Sequence, residues 1–431
     1  MAVERRDRAS ATAAGALLVS LSAPEMDRLA TELAARGKLT TLVRRYLNKN
    51  RRWERTVARL PGLRGAYAST FGRRAPPPGV ASSLIREAGA SWDFAAACLN
   101  RAGRSVPSFV APLSKRLQLN VERAVANVAT RHVTGEHVVV GSYHVALPAF
   151  GKARRVGART ILNYPIAHHR WQYRFFAEQA ERNPEFAAAL PVFGSAKDHA
   201  DVLDGEIELA DSILVGSTFV RDTFVANGVA PEKIRVIPYG VDAERFSPAP
   251  RSQARGSTPF RVLFVGQIGE RKGISYLLKA YETFKKSDTE LQLVGDFVNG
   301  ADVYRGFSGL FTHSQNVPQA RLPPLFGAAD VFVLPTLVEG MPLVVLEAMA
   351  SGLPVITTPH GPADVVRDGV DGYIVPCGDS DAIADRLERL YRDRELRLQM
   401  GRNARESAER WSWNRYATAA ADFVLGSEVA P

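Results

Sequence analysis

At 431 residues and 47.0 kDa the chain is too long for one ordinary core, and 46% hydrophobic with 23% charged residues excludes a disordered or fibrous class. Two cysteines, Cys98 and Cys377, exclude a disulfide scaffold and fit a reducing, cytoplasmic compartment. The net charge of +10 is uneven: residues 1–134 hold 23 Lys and Arg against 9 Asp and Glu, a surplus of +14 that leaves the remainder at −4. Such a surplus favours an anionic partner, with phospholipid head groups, a polyanionic glycan or nucleic acid as candidates.

The start, "MAVERRDRASATAAGALLVSLSA", sets basic residues before an apolar stretch, as a signal peptide does. Glu4 and Asp7 interrupt the basic part, and the strongly apolar part is only "ALLVSL", so a tail followed by a first strand is predicted. No apolar run reaches the roughly 18 residues of a spanning helix. Residues 40–130 read as helical and basic, broken by "APPPG", with no alternation that predicts strands. Beyond them, "HVVVGSY", "ARTILNY", "DSILVGS" and "KIRVIPYG" are short unalternating apolar runs with helical patterns between, as is "GALLVSL" before them. "FRVLFVG", "ELQLVG", "DVFVLPT", "LPVITT" and "GYIVPC" continue the series. Runs of this kind predict parallel strands buried on both faces. The fold class is therefore α/β, with two Rossmann-like doubly wound domains facing across a cleft.

"VDAERFSPAPRSQARGSTP" lacks apolar periodicity and is the natural linker. The predicted organisation is an N-terminal domain over 1–237, a linker over 238–258 and a C-terminal domain over 259–410. A helical segment, 411–431, is expected to pack back on the N-terminal domain; its Trp411, Trp413 and Tyr416 read as packing aromatics.

Chemistry concentrates at few places. "NYPIAHHRWQYRFF" carries His168, His169, Arg170, Trp171 and Tyr173; adjacent histidines are expected to point to different sides, which argues against a two-histidine metal site. One of them is a candidate for the acceptor side; the alternative is polar surface or core. In "RVLFVGQIGERKGISYLLKA" a strand runs through a glycine-bearing loop into a helix near Gly273, an arrangement that offers N–H groups and a positive dipole end to an anion. Arg271 and Lys272 add two charges there, which suits a diphosphate, although no Walker-type pattern is present.

"EGMPLVVLEAMASG" follows the strand "DVFVLPT", with Pro342 predicted as the first helical residue. Glu339 and Gly340 then lie at the strand's carboxyl edge and Glu347 on the second helical turn, where a carboxylate can accept from vicinal hydroxyls such as those of a ribose. The plainer alternative is a glutamate set against a helix dipole and a second one exposed on the helix. "DSD" at Asp379–Asp381 precedes "AIADRLERL" and reads as a helix cap, so no catalytic metal is expected.

Four segments in this order, "STFVRDTFVANGVAPEKIRVIPYGVDAERFSP", "LFVGQIGERKGISYLLKA", "ADVFVLPTLVEGMPLVVLEAMASGLPVITT" and "DGVDGYIVPCGDSDAIADRLERLYRD", resemble glycosyltransferase family 4, retaining enzymes of GT-B fold. The resemblance covers roughly residues 210–415. It implies a nucleoside-diphosphate sugar held mainly by the C-terminal domain, with no cofactor beyond the donor. It assigns Arg271 and Lys272 to the diphosphate, Glu347 to the ribose as second glutamate of E-x7-E, and Glu339 to the donor sugar. The backbone of Gly340, Met341, Pro342 and Leu343 is then near sugar and phosphate. The N-terminal half departs from the family: "LLVSLSAPEMDRLA" has no glycine loop after the first strand. Where members place a histidine after a mid-domain strand, "VVVGSYHVALPAF" offers His144, with Ser142 beside it.

The resulting expectation is a retaining, metal-independent hexosyltransferase-type glycosyltransferase of cell-envelope or polysaccharide glycan synthesis. Its partners would be the nucleotide sugar, a sugar or lipid-linked glycan acceptor and an anionic membrane surface at the inner face, with no nucleic acid. A sugar-nucleotide epimerase or hydrolase on the same scaffold and a non-catalytic glycan- or membrane-binding protein are the alternatives.

Overall fold

The computed structural model describes residues 15–49, 52–57, 59, 74–102, 107–135, 137–191, 197–248, 259–298, 301–315 and 317–427. The expected N-terminal tail and residues 249–258 of the expected linker lie outside them. The first elements are β1 (Gly15–Ser20), α1 (Pro24–Ala35), β2 (Leu39–Arg45), α2 (Arg52–Val57), β3 (Ile85–Ala88), α3 (Ala90–Ala102) and α4 (Pro107–His132). There follow β4 (His137–Ser142), α5 (Leu147–Val156), β5 (Arg159–Asn163), α6 (His169–Arg182), α7 (Lys197–Leu209), β6 (Ser212–Val215), α8 (Thr218–Val225) and β7 (Ile234–Val236). After the linker come β8 (Phe260–Val265), α9 (Ile274–Phe284), β9 (Thr289–Val294), β10 (Phe311–Ser314), α10 (Leu322–Ala328) and β11 (Val331–Leu334). The last are α11 (Leu343–Ala350), β12 (Val355–Thr357), β13 (Gly372–Ile374), α12 (Ser380–Arg392), α13 (Arg394–Glu409) and α14 (Trp413–Leu425).

The chain divides into two compact units. In the first, parallel strands follow the order β3-β2-β1-β4-β5-β6. Leu17, Leu18, Val139, Val140, Ile161 and Leu162 are all fully buried, which is why these strands read as unbroken apolar runs. At the carboxyl edge the row turns polar: Ser20 pairs with Arg44, Ser142 with Asn163, and the Val19–Gly141 pair sets the two serines level. Arg44 Nε, Ser20 Oγ, Ser142 Oγ and Asn163 Oδ1 are buried and lack a hydrogen-bond partner among the described residues. From α1, Glu25 accepts a hydrogen bond from Asn163 Nδ2 at 3.0 Å.

Three strands fall where none was expected, β2 and β3 within residues 39–88 and β10 at Phe311–Ser314. The charged end of β2 is neutralised rather than solvated: buried Arg44 pairs with Asp27, and Arg45 with Asp93. A run that reads as basic helix is thus a largely buried strand.

In the second unit the parallel order is β10-β9-β8-β11-β12-β13. Both orders have the 3-2-1-4-5-6 winding, which reverses between the first and fourth strands; ligands of open α/β sheets bind beside that reversal, outside the carboxyl ends. For the second unit the reversal lies between β8 and β11, and for the first between β1 and β4.

The division differs from a single break at the linker. Residues 165–191 and 215–237 belong to the second unit, although they precede the linker. A Cβ on Gly340 would lie 1.6 Å from the Pro165 carbonyl oxygen, so only glycine permits that approach. Ser217 Oγ donates to Gly340 O at 2.6 Å, and the Asp364 carboxylate accepts from the Thr218 amide at 2.5 Å and from its hydroxyl. The segment from Tyr416 belongs to the first unit. There Tyr416 is buried, Arg36 Nη1 donates to Asp422 at 2.5 Å, and Arg159 Nη1 donates to the Phe423 and Val424 carbonyls at 3.4 Å. Among the described residues no helix is long and apolar enough to cross a membrane.

Candidate functional site

At the reversal point of the second sheet, β8 runs into Gly266–Gly269, a helical turn at Glu270–Lys272 and then α9. Gly273 joins turn to helix with φ of 71°, and a Cβ there would lie 2.0 Å from Pro335 O, so glycine is required twice over. The turn is welded to the β11 loop through one carbonyl: Arg271 O accepts from Leu337 N at 3.0 Å, Thr336 Oγ1 at 3.1 Å and Val338 N at 3.3 Å. Glu270 is buried beneath it and accepts from Ser275 N at 3.1 Å, Ser275 Oγ at 2.7 Å and Tyr304 Oη at 2.7 Å. Burial raises the Glu270 carboxyl, and these three donors work against the rise.

The weld brings together charges 67 residues or more apart in sequence. Lys272 Nζ lies 2.5 Å from Glu339 Oε1, and Arg271 Nη1 bonds the same oxygen while donating to Val338 O at 3.2 Å. Burial alone would raise the Glu339 carboxyl, but the Lys272 and Arg271 charges and hydrogen bonds outweigh it and hold the group below its ordinary range. Burial lowers the Lys272 ammonium, Glu339 opposes this, and the Arg271 charge adds to it. Two cations share one carboxylate, so the cluster keeps a surplus positive charge. Arg271, Lys272, Gln267 and Gly269 line a cavity of about 180 Å³ closed on its apolar side by Ala189, Pro191 and Val298. A concave site with an apolar wall and fixed cations at a helix start suits a multiply charged anion.

The Glu339 loop is braced from β12. Thr357 Oγ1 donates to Leu334 O at 2.9 Å, Thr358 Oγ1 to Thr336 O at 2.6 Å, and His360 Nδ1 to Leu337 O at 2.7 Å. The His360 carbonyl in turn accepts from Glu339 N at 3.2 Å. Burial lowers the His360 imidazole, which stacks on Phe219 at 4.6 Å and meets Trp171 and Phe175 edge-on. Nothing in the sequence marks Thr357, Thr358, Phe219 or His360, whose bonds and ring contacts arise only in the fold; Trp171 lies in a segment notable for its adjacent histidines.

The helix after the loop begins at Leu343, one residue beyond expectation, and Pro342 is its N-cap with ψ of 108°. Glu347 lies on the second turn, 8% exposed among apolar neighbours. Burial pushes its carboxyl up to about 7, against a hydrogen bond from Gln319 and the Arg245 charge. The second unit thus gathers Arg271, Lys272, Glu339, Gly340, Met341, Pro342, Leu343 and Glu347. His144 belongs to the first unit, in the loop between β4 and α5.

His168 and His169 do not diverge: their rings stack at 4.5 Å, because His168 is the N-cap of α6, outside helical geometry, with Nδ1 accepting from Arg170 N at 3.2 Å. Asp379 caps α12 as expected, accepting from Ala382 N at 2.8 Å.

Residues 247–407 match the family described as glycosyl transferases group 1. A D-inositol 3-phosphate glycosyltransferase of Paenarthrobacter aurescens is 34% identical over 50% of this chain and 58% of its own length. A GDP-mannose-dependent alpha-(1-6)-phosphatidylinositol monomannoside mannosyltransferase of Mycobacterium tuberculosis is 28% identical over 51% and 63%. The chain spans about half the length of the curated relatives it matches. Among solved structures, Anabaena Alr3699/HepE in complex with UDP-glucose aligns over 96% of this chain and 100% of its own, with a TM-score of 0.60 at 16% identity. That likeness is one of fold, two parallel-sheet Rossmann-like domains.

Proposed function

We propose that this chain, whose residues 247–407 match the glycosyl transferases of group 1, moves a hexose from a nucleoside-diphosphate sugar to an acceptor hydroxyl with retention of configuration. The observation that carries this reading is the Arg271–Lys272–Glu339 cluster, set at the sheet's reversal point beside a cavity lined by the same cations. Without donor, Glu339 serves as counterion to both cations. When the diphosphate enters, it takes their charge, and Glu339 is released toward the donor sugar. As the glycosidic bond to phosphate breaks, Arg271, Lys272 and the positive end of α9 stabilise the charge gathering on the leaving diphosphate, so no catalytic metal is required. Attack comes from the same face, assisted by the departing phosphate, with no protein nucleophile.

Glu347 would bind the ribose hydroxyls, the Gly340–Leu343 backbone the sugar and phosphate, and His144 the region of the transferred sugar. The acceptor would be a sugar or lipid-linked glycan of the cell envelope, approached from the first unit. Support comes from the polar row of the first sheet, where Ser20 Oγ, Arg44 Nε, Ser142 Oγ and Asn163 Oδ1 lack partners among the described residues, the surplus of +14 over residues 1–134, and a relative that acts on a phosphatidylinositol mannoside. The site of action would be cytoplasmic, peripheral at the inner membrane face. The test is a screen of UDP-, GDP- and ADP-sugars with product analysis. An acceptor-dependent glycosidic bond, lost in Glu339→Ala and Lys272→Ala proteins that still fold, supports transfer. A free epimer or free sugar made without acceptor, or near-normal turnover in both variants, would sink it.

A further inference from the structure

His144 is the only non-glycine residue with positive φ among the described residues, at 73°. Few non-glycine residues occupy that region, histidine more often than most, and backbone outliers cluster where geometry serves function. Here the fixing groups can be named. β4 ends at Ser142, and Gly141 lets the chain fold back tightly, since a Cβ there would lie 2.5 Å from the Ala146 Cβ. Val145 N donates to Ser142 O at 3.3 Å and closes the turn.

The remaining support comes from another element. Glu206, on α7, is fully buried. Its Oε2 accepts from His144 N at 2.8 Å, and its Oε1 accepts from Ala146 N at 2.7 Å and Leu147 N at 3.2 Å. A helix start is ordinarily capped by its own N-cap side chain, but the N-cap of α5 is Ala146, which has none to offer. One oxygen of a distant carboxylate performs that task, and the other reaches beyond the helix to the histidine amide. Burial raises the Glu206 carboxyl to about 7, and the nearby Glu122 charge adds to the rise, against the three N–H bonds. Such a group would be costly to keep for helix capping alone.

We infer that Glu206 is a positioning residue: its carboxylate pins the His144 backbone in the left-handed conformation and so fixes the direction in which the imidazole leaves the sheet edge. The catalytic consequence rests on the transfer reading above; the pinning does not.

Glu206→Gln separates the two oxygens. If the amide oxygen keeps the two helix donors, the NH₂ faces the His144 N–H and that bond is lost. Amide exchange over residues 142–150 should quicken in E206Q, and unchanged exchange would overturn the pinning. With whichever donor the wild type turns over, kcat should fall about tenfold with donor KM within about twofold. In a His144→Ala background the same change should add less than about a twofold loss, because the two act through one group. Equal losses in both backgrounds would make Glu206 merely structural and overturn the inference. A wild type inert with every donor would overturn the transfer reading and the catalytic consequence, while exchange still decides the pinning. Should E206Q fail to fold, substitutions at His144 decide it with Glu206 intact. At a pinned positive φ, His144→Val should melt lower than His144→Ala and His144→Gly no lower, whereas equal melting of all three would overturn it.

Discussion

Glu339→Gln removes the shared counterion of Arg271 and Lys272 while keeping its shape. The carboxylate side chain is 12% exposed, and its partners are 25% and 10% exposed, so the three groups are largely withdrawn from water. Breaking a buried pair by deleting one charge costs roughly 3–5 kcal/mol, and the partial exposure of Arg271 argues for the lower end, about 3 kcal/mol. At about 2.1 cal/mol/K of unfolding entropy per residue, for a chain of 431 residues that is a fall in Tm of roughly 3 °C. A nucleoside diphosphate supplies phosphate charge to the same cations, and at about 100 times its Kd contributes about 2.7 kcal/mol, nearly cancelling the loss. The variant should gain more from the ligand than the wild type does, since there the ligand must displace Glu339.

The pH dependence has a definite sign. The folded pKa of Glu339 lies below its ordinary 4.5, so its stabilisation is complete above that value and is lost as pH falls through the folded one. Wild type and variant should therefore converge in acid. Lys272, lowered by burial from 10.5, behaves oppositely: holding it charged costs stability at neutral pH, and the cost fades as pH rises through its folded pKa toward 10.5. Calorimetric melting with and without UDP and GDP across this range is the assay. Equal Tm values at neutral pH, or a gap that persists undiminished in acid, would refute the counterion argument.

Gly340→Ala sets a Cβ against the Pro165 carbonyl at 1.6 Å and should destabilise the second unit by more than about 2 kcal/mol, read by denaturant unfolding. Glu347 titrates near 7, so nucleotide affinity measured calorimetrically should rise as pH increases through that value and lose this dependence in Glu347→Gln. The basic surplus predicts binding to anionic vesicles that weakens as salt rises; absence of binding at any salt would remove the membrane-surface proposal.

How much of this was legible depended on whether the signal was local. Strands such as Val331–Leu334 announce themselves, because burial on both faces leaves no polar residue to break the run. β2 did not, because Arg44 and Arg45 find Asp27 and Asp93 only through tertiary folding. β10, "FTHS", lies at the sheet edge and is half exposed, so it carries no apolar run either. The Arg271–Lys272 pair and the Glu339–Glu347 spacing stood out because each is short in sequence. The Thr357, Thr358 and His360 brace was hidden, because its bonds go to backbone carbonyls, which every residue possesses. Glu206 was hidden for the same reason, lying 62 residues from the amide it holds.

The return of the chain's last helix to the first unit has a consequence for how the protein is made. Residues 15–164 and 197–214 leave the ribosome early, but their partner from Tyr416 onward is about 200 residues away, which at about 5–20 residues per second is a wait of roughly 10–40 s. During that interval Arg36 lacks Asp422, and the Arg159 guanidinium lacks the carbonyls of Phe423 and Val424. The nascent N-terminal unit thus lacks these contacts until the second unit, which ends at Arg415, has been synthesised in full.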